Sequence, residues 1–230
     1  MKKILLSVIL AASFNANAAT PVDTSLWTVQ NSPSYNSTGS NWTSVGGNQA
    51  IQNLNSYGTL VSNFVETGDF TFSGTLRPTT ASFNDNDILG IVFGWQDNQN
   101  HYRLGWEQGG YNDASGASGM WLVQELLGVS TILFQAENFW ADNTDYNFLA
   151  GRSGNDISFS LNGISQSLTN TTFMSGNVGF YTESQTAIFS GLASVPQPPN
   201  AVPLPAAAFM FAPALLGFMG FRRRAKNLAA

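Results

Sequence analysis

The stretch FNDNDILGIVFGWQDNQNHYRLGW, residues 83–106, decides the fold. Eight residues from Ile88 to Trp95 carry no charge and are almost wholly apolar, as a strand covered on both faces would be. A polar loop, Gln96 to Asn100, follows, and then a second strand from His101 to Glu107. Two apolar runs joined by so short a polar loop predict an antiparallel hairpin.

Working outward, other segments alternate with period two. DFTFSGTL places Phe70, Phe72, Gly74 and Leu76 on one face, and DISFSLNG does the same with Ile157, Phe159 and Leu161. Further strands are expected at Leu26–Val29, Met120–Gln124, Ser130–Gln135, Tyr146–Ala150, Val178–Thr182 and Ala187–Leu192. Asn162-Gly163 is the tight-turn signal, since both residues accept positive φ. Helical periodicity is almost absent. The pattern predicts an all-β domain, an antiparallel β-sandwich.

Both ends differ from this domain. MKKILLSVILAASFNANAAT opens with Lys2 and Lys3, continues with the short apolar run Ile4–Ala12 and offers Ala16-Asn17-Ala18 for cleavage. That is a secretory signal peptide over residues 1–18, too short to stay as a membrane span. At the other end, residues 201–221 contain no charged or strongly polar side chain. A helix of that length reaches roughly 30 Å, one bilayer core. Arg222, Arg223, Arg224 and Lys226 follow at once. Basic clusters are retained on the cytoplasmic side, so one C-terminal transmembrane helix is expected with the preceding domain outside. The organisation is then a signal peptide, a sandwich over 19–193, a Pro-rich spacer and sorting motif over 194–205, the rest of the span over 206–221, and a basic tail over 222–230.

Those ends hold six of the nine basic residues. Arg77, Arg103 and Arg152 stand alone against all fourteen acids, a net charge of −11 for the middle. Nucleic acid is not expected as a partner, because this middle region lacks clustered Lys and Arg. Cations and neutral polar polymers such as glycans are left. With no cysteine there is no disulfide, thiol nucleophile or thiolate metal site.

The C-terminal order Val202-Pro203-Leu204-Pro205, apolar span, Arg222-Arg223-Arg224 resembles the PEP-CTERM sorting signals, in their VPLPA variant. Leu204 stands where the name-giving motif has Glu. The resemblance implies an exosortase-type membrane enzyme as partner, which would cut near the Pro motif. It also implies delivery to the cell surface or its exopolysaccharide.

For chemistry, His101 is the single histidine and no G-x-S-x-G elbow occurs. Glu66, Glu107, Glu125, Glu137 and Glu183 are scattered over separate segments, with no E-x-D run of the kind that sets two carboxylates across a glycosidic bond. No catalytic residue is assigned, and the chain is expected not to be an enzyme. Asn84-Asp85-Asn86-Asp87 reads equally as a solvated turn or as a loop of hard oxygens for calcium.

DNDILGIVFGWQDNQNHYRLGWEQ, Asp85 to Gln108, resembles the core of the thrombospondin C-terminal domain, a concanavalin-like, L-type lectin-like jelly roll. Gly90-Ile91-Val92-Phe93-Gly94-Trp95-Gln96 carries the match, with Trp95 in place of a Tyr, and Gly176–Leu192 resembles the closing strand pair. The resemblance implies a calcium-dependent, adhesion-type extracellular domain. Asp85 and Asp87 would be the leading ligands, and Asn84 and Asn86 secondary ones. The alternative function is a glycoside hydrolase or lyase on the same scaffold.

Flat rings stack on sugars, so Trp95, Trp106, Trp121, Trp140 and Tyr111 are the aromatic candidates for a concave glycan-binding face. Of these, Trp140 and Tyr111, in loop-like contexts, and Trp95 are taken as the ligand-binding set.

Overall fold

The computed structural model describes residues 20–30, 42–44, 47–54, 57–79, 87–109 and 115–196. The expected signal peptide, the C-terminal span with its sorting motif, and Asn84, Asp85, Asn86 and Tyr111 lie outside these. Among the described residues no helix is long and apolar enough to cross a membrane.

Sixteen strands are described. They are β1 (Thr20–Pro21), β2 (Thr28–Gln30), β3 (Trp42–Ser44), β4 (Ala50–Gln52), β5 (Gly58–Val61), β6 (Glu66–Thr67), β7 (Phe70–Pro78) and β8 (Ile88–Asp97). They continue with β9 (Asn100–Trp106), β10 (Met120–Leu126), β11 (Val129–Ala136), β12 (Tyr146–Ser153), β13 (Asp156–Leu161), β14 (Ile164–Thr169), β15 (Ser175–Glu183) and β16 (Ala187–Pro196). One sheet runs β14-β13-β12-β7-β16-β4-β3, with β1 on β16; the other runs β11-β10-β9-β8-β15-β5-β2, with β6 on β15. Every pairing is antiparallel.

The expected all-β sandwich is what forms. Phe70, Phe72 and Leu76 of β7 are buried and their neighbours are not, as alternation requires. They meet Leu89, Ile91, Phe93 and Phe180 from the other sheet in one apolar core. Phe180 is its centre, stacked on Phe189 at 4.1 Å and on Trp27 at 5.3 Å. Asn162 and Gly163 turn β13 into β14 with φ of 44° and 77°. That is the two-residue turn whose twist matches the flanking strands.

Two boundaries depart from the sequence reading, and β8 adds a register shift of its own. Leu26 ends a 3-10 turn, Thr24–Leu26, capped by Asp23, and the strand begins only at Thr28. β16 continues to Pro196, three residues into the stretch read as spacer, because its edge still pairs with β7 there. β8 carries a register shift after Phe93, where Gly94 adopts φ 58°. Strict alternation would send Trp95 inward beside Phe93; the shift sends it to the outer face of its sheet.

Candidate functional site

That outer face, on the β8-containing sheet, gathers aromatic and charged groups away from the inter-sheet core. Register aligns it row by row. One row crosses β11, β10, β9, β8, β15 and β5 as Gln135, Trp121, Gly105, Gly90, Tyr181 and Thr59. The next crosses β10, β9, β8, β15 and β5 as Val123, Arg103, Val92, Gly179 and Val61. Val61, Ile88, Val92, Trp95, Ala117, Trp121, Val123 and Tyr181 form an apolar cluster separate from the main core.

Two adjacent central strands thus carry glycine at the same level. A β-carbon on Gly105 would lie 2.4 Å from Cε2, 2.5 Å from Nε1 and 2.6 Å from Cζ2 of Trp121. The indole of Trp121 therefore lies across Gly105. Its Nε1 is buried and, among the described residues, donates to no acceptor. Trp27 and Trp42 share that condition, but they sit in the interior, stacked with Phe180. Trp121 has it on the outer side of its sheet, where it too is wholly buried.

Beyond the glycines stands a charged relay. Arg103 Nη1 donates to Tyr181 Oη at 2.9 Å, its Cζ lies 4.8 Å from the Tyr181 ring centroid, and Tyr181 Oη in turn donates to Glu183. Arg103 belongs to β9 and Tyr181 to β15, so the guanidinium spans the intervening strand at Val92. Tyr57 closes the far side, edge-on to Tyr181 at 5.4 Å. His101 stacks on Trp95 at 4.5 Å, and its Nδ1 lies 3.2 Å from Asp97 O. Burial, reinforced by the Arg103 charge, lowers the His101 pKa to about 3, so the ring is neutral at any ordinary pH.

The candidate ligand residues are thus dispersed. Trp95 lies on the outer face, 5% exposed. Trp140 is 2% exposed in the inter-sheet core, where its Nε1 donates to Trp106 O at 3.3 Å. Its indole packs in that core, although its neighbours in sequence are loop. Of the proposed calcium set only Asp87 is described; it is half-buried, directly ahead of β8. No group of three or more His, Cys, Asp or Glu stands together among the described residues. The structure does bring Glu107 and Glu183 to one face. Glu107 is wholly buried and its Oε1 accepts from Gly119 N–H at 2.6 Å.

The sequence matches no family profile and no curated protein. Solved structures similar in fold include the carbohydrate binding module CBM66 from Bacillus subtilis, 14% identical over 74% of this chain and 95% of that one, with a TM-score of 0.57. A protein of galectin-like fold from Bacillus subtilis is 10% identical over 78% and 94%, with a TM-score of 0.52. The exoplasmic/lumenal domain of VIP36, in its Ca2+/Man3GlcNAc-bound form, is 9% identical over 80% and 89%, also at 0.52. The architecture is therefore the galectin- and concanavalin-like jelly roll.

Proposed function

We propose that this chain is an exported, non-enzymatic binding protein of adhesion type, and that it holds a neutral polysaccharide on the outer face of the β8 sheet. The observation that carries this reading is Trp121, laid across Gly105 with a buried indole N–H that has no acceptor among the described residues. An indole offers a broad apolar surface and one donor, which is what a pyranose, apolar on one face and hydroxylated at its rim, can use. An unsatisfied buried donor costs about 1–3 kcal/mol, and a ligand oxygen would recover it. Neighbours of the same fold whose names record carbohydrate binding support the choice of ligand class.

In this proposal the Asp-rich segment ending at Asp87 binds calcium and orders the loop ahead of β8. The C-terminal thirty residues bring the protein to an exosortase-type enzyme and so to the cell surface or its exopolysaccharide. Catalysis on polysaccharide is the second reading, and Glu107 and Glu183 on one face would be its carboxylates. Both are engaged in the fold, Glu107 by Gly119 and Glu183 by Tyr181, so binding is placed first.

The test is affinity electrophoresis in gels cast with dextran, xylan or laminarin, with calcium and with chelator. At least one polysaccharide should retard the protein. Trp121→Ala should weaken that binding by ten- to a hundredfold, about 1.4–2.8 kcal/mol. Chelator should weaken it as well. Equal retardation of wild type and Trp121→Ala would remove Trp121 from the site. No retardation in any gel would refute glycan binding.

A further inference from the structure

Going beyond the glycan site, and resting only on the C-terminal part of that reading, we infer that one end of the sandwich docks on an electrically neutral lipid surface. Its anchor is Leu127, at the tip of the β10–β11 hairpin. Leu127 and Gly128 make that turn with φ of 53° and 75°, close to the 44° and 77° of Asn162 and Gly163 between β13 and β14. Asparagine is an ordinary residue for the first position of such a turn; leucine is not, because its side chain disfavours positive φ. Here the leucine is 76% exposed, so no packing offsets the strain. The conformation is held from the β8–β9 turn alongside: Leu127 N–H donates to Asn100 Oδ1 at 3.1 Å, and Gly128 N–H to Gln99 O at 3.1 Å. A strained position, fixed by its neighbours and presenting an apolar side chain to solvent, points to a surface which that side chain meets.

Leu127 does not stand alone. Met120, Leu122, Gln124 and Leu126 follow one another on the inner side of β10. The first two reach the core, and Gln124 accepts from Asn170 and Thr172 of the loop opposite. Leu126 lies beyond that cover and is exposed, as is its cross-strand partner Val129, at 66%. Val65, ahead of β6, and Met174, ahead of β15, are exposed at the same end. The registers fix that end: Leu126 pairs with Asn100, Ser175 with Thr67, and Phe70 with both Arg152 and Pro196. Leu127 and Val129 are the two most exposed large apolar side chains among the described residues.

Where the chain leaves the sandwich decides the occupant. Pro196 ends β16 at this end, and four residues, 197–200, separate it from the apolar run 201–221. Even fully extended, that connection reaches less than about 20 Å, so a bilayer holding the run would lie close to this end. Charge then selects the lipid. Asp69, Asp97 and Asp156 stand in or beside its turns, whereas Arg152, the one described cation there, is buried. Anionic lipid would be repelled. A neutral surface such as phosphatidylcholine, met through apolar contact at headgroup depth, fits.

The test uses the full chain reconstituted with phosphatidylcholine vesicles. The chain has no cysteine, so a polarity-sensitive dye on Val129→Cys reports alone. Thr144→Cys, exposed at the opposite end beside Asn143, whose N–H donates to Pro78 O, is the control. A lipid carrying a nitroxide within the outer 5–10 Å of the acyl layer should quench the Val129 dye by at least about half and leave the Thr144 dye unchanged. Adding Leu126→Asn and Leu127→Asn should restore the emission, and mixing in phosphatidylglycerol should reduce the quenching. Leu127→Asn alone should raise the urea midpoint, because asparagine suits the turn.

A chain that floats with the vesicles while both dyes stay equally wet would overturn the docking and leave the C-terminal run standing. A chain that does not float would overturn both. A dye signal that appears without vesicles and grows with protein concentration would give the tip to a second copy and overturn the lipid surface. A lowered urea midpoint for Leu127→Asn would show that the leucine serves the fold and would remove it as anchor. Retardation by polysaccharide, measured on the same chain, is independent of each of these results.

Discussion

Gly105→Ala tests the outer face without reference to any ligand. The new methyl would lie 2.4–2.6 Å from three atoms of the Trp121 ring, where non-bonded carbons prefer about 3.5–4.0 Å. The indole would have to rise by about an ångström into a cluster whose members are almost fully buried. Overpacking of that kind costs about 1–3 kcal/mol. The backbone raises no objection, because Gly105 does not lie in the left-handed region. There, Gly→Ala stabilises by about 0.4–1 kcal/mol through the unfolded chain. With Trp121→Ala already in place the clash is gone, so the same Gly105→Ala should now stabilise. The sign reverses between backgrounds, with a coupling of roughly 2–3 kcal/mol. Urea unfolding of the wild type, the two single variants and the double variant measures it, provided the m-values agree. Additivity within about 0.5 kcal/mol would refute the placement of the indole over Gly105.

Two further predictions concern a second buried arginine and the histidine. The Arg152 guanidinium is buried and donates to Asn170 O at 3.0 Å, Gly154 O at 3.3 Å and Phe173 O at 2.8 Å, clamping the loop between β14 and β15. Arg152→Lys cannot reproduce that fork and should cost about 2–4 kcal/mol, largely independent of salt, as calorimetry would show; a loss below about 1 kcal/mol would refute the clamp. For His101, the folded pKa is about 3 against an ordinary 6.5. The unfolded chain therefore takes the proton first, and stability falls as pH drops from about 6.5 toward 3, by up to about 1.4 kcal/mol per unit. His101→Gln should remove that slope between pH 6 and 4.5; parallel melting curves for the two proteins would show that the ring is not the source.

How much of this could be seen in the sequence depended on how simply each strand meets its surroundings. β7 and β13 meet the core on one face and solvent on the other, so Phe70, Phe72 and Leu76, or Ile157, Phe159 and Leu161, stand out by alternation. The unbroken run Ile88–Trp95 announced a strand covered on both sides, and all eight residues are buried. The strands that went unread have no such contrast. β3, β4 and β6 are two or three residues long. β14, ISQSLT, is an edge strand that leans on the core only through Ile164 and Leu168. The aromatics were harder still. Trp140 sits among loop residues yet is core, because its segment is drawn inward by hydrogen bonds between Trp140 and the Trp106–Glu107 backbone. Trp121, inside MWLVQ, was among the five aromatic candidates but not in the ligand-binding set, since nothing in its own segment set it apart. The available signal was the pair of glycines in ILGIV and YRLGW, but only the register shows that they lie side by side.

On the proposed glycan reading, the placement of charge narrows the ligand class further. Arg77 is on the solvent side of the other sheet, 3.6 Å from Asp145 in an exposed pair worth little. Arg152 is enclosed by carbonyls, and Arg103 is stacked on Tyr181 with Glu183 behind it. Among the described residues no two arginines stand together, so a uronate or sulfate polymer would meet no cationic cluster there, only the domain's excess of acids. A cationic polymer would suit the net charge but not the floor of the outer face, where Glu107 and Glu183 already have partners. What that floor holds, buried, is one indole, one N–H with no acceptor among the described residues, and a wall of aliphatic and aromatic carbon. An uncharged sugar chain uses all three, and its binding should accordingly be nearly insensitive to ionic strength.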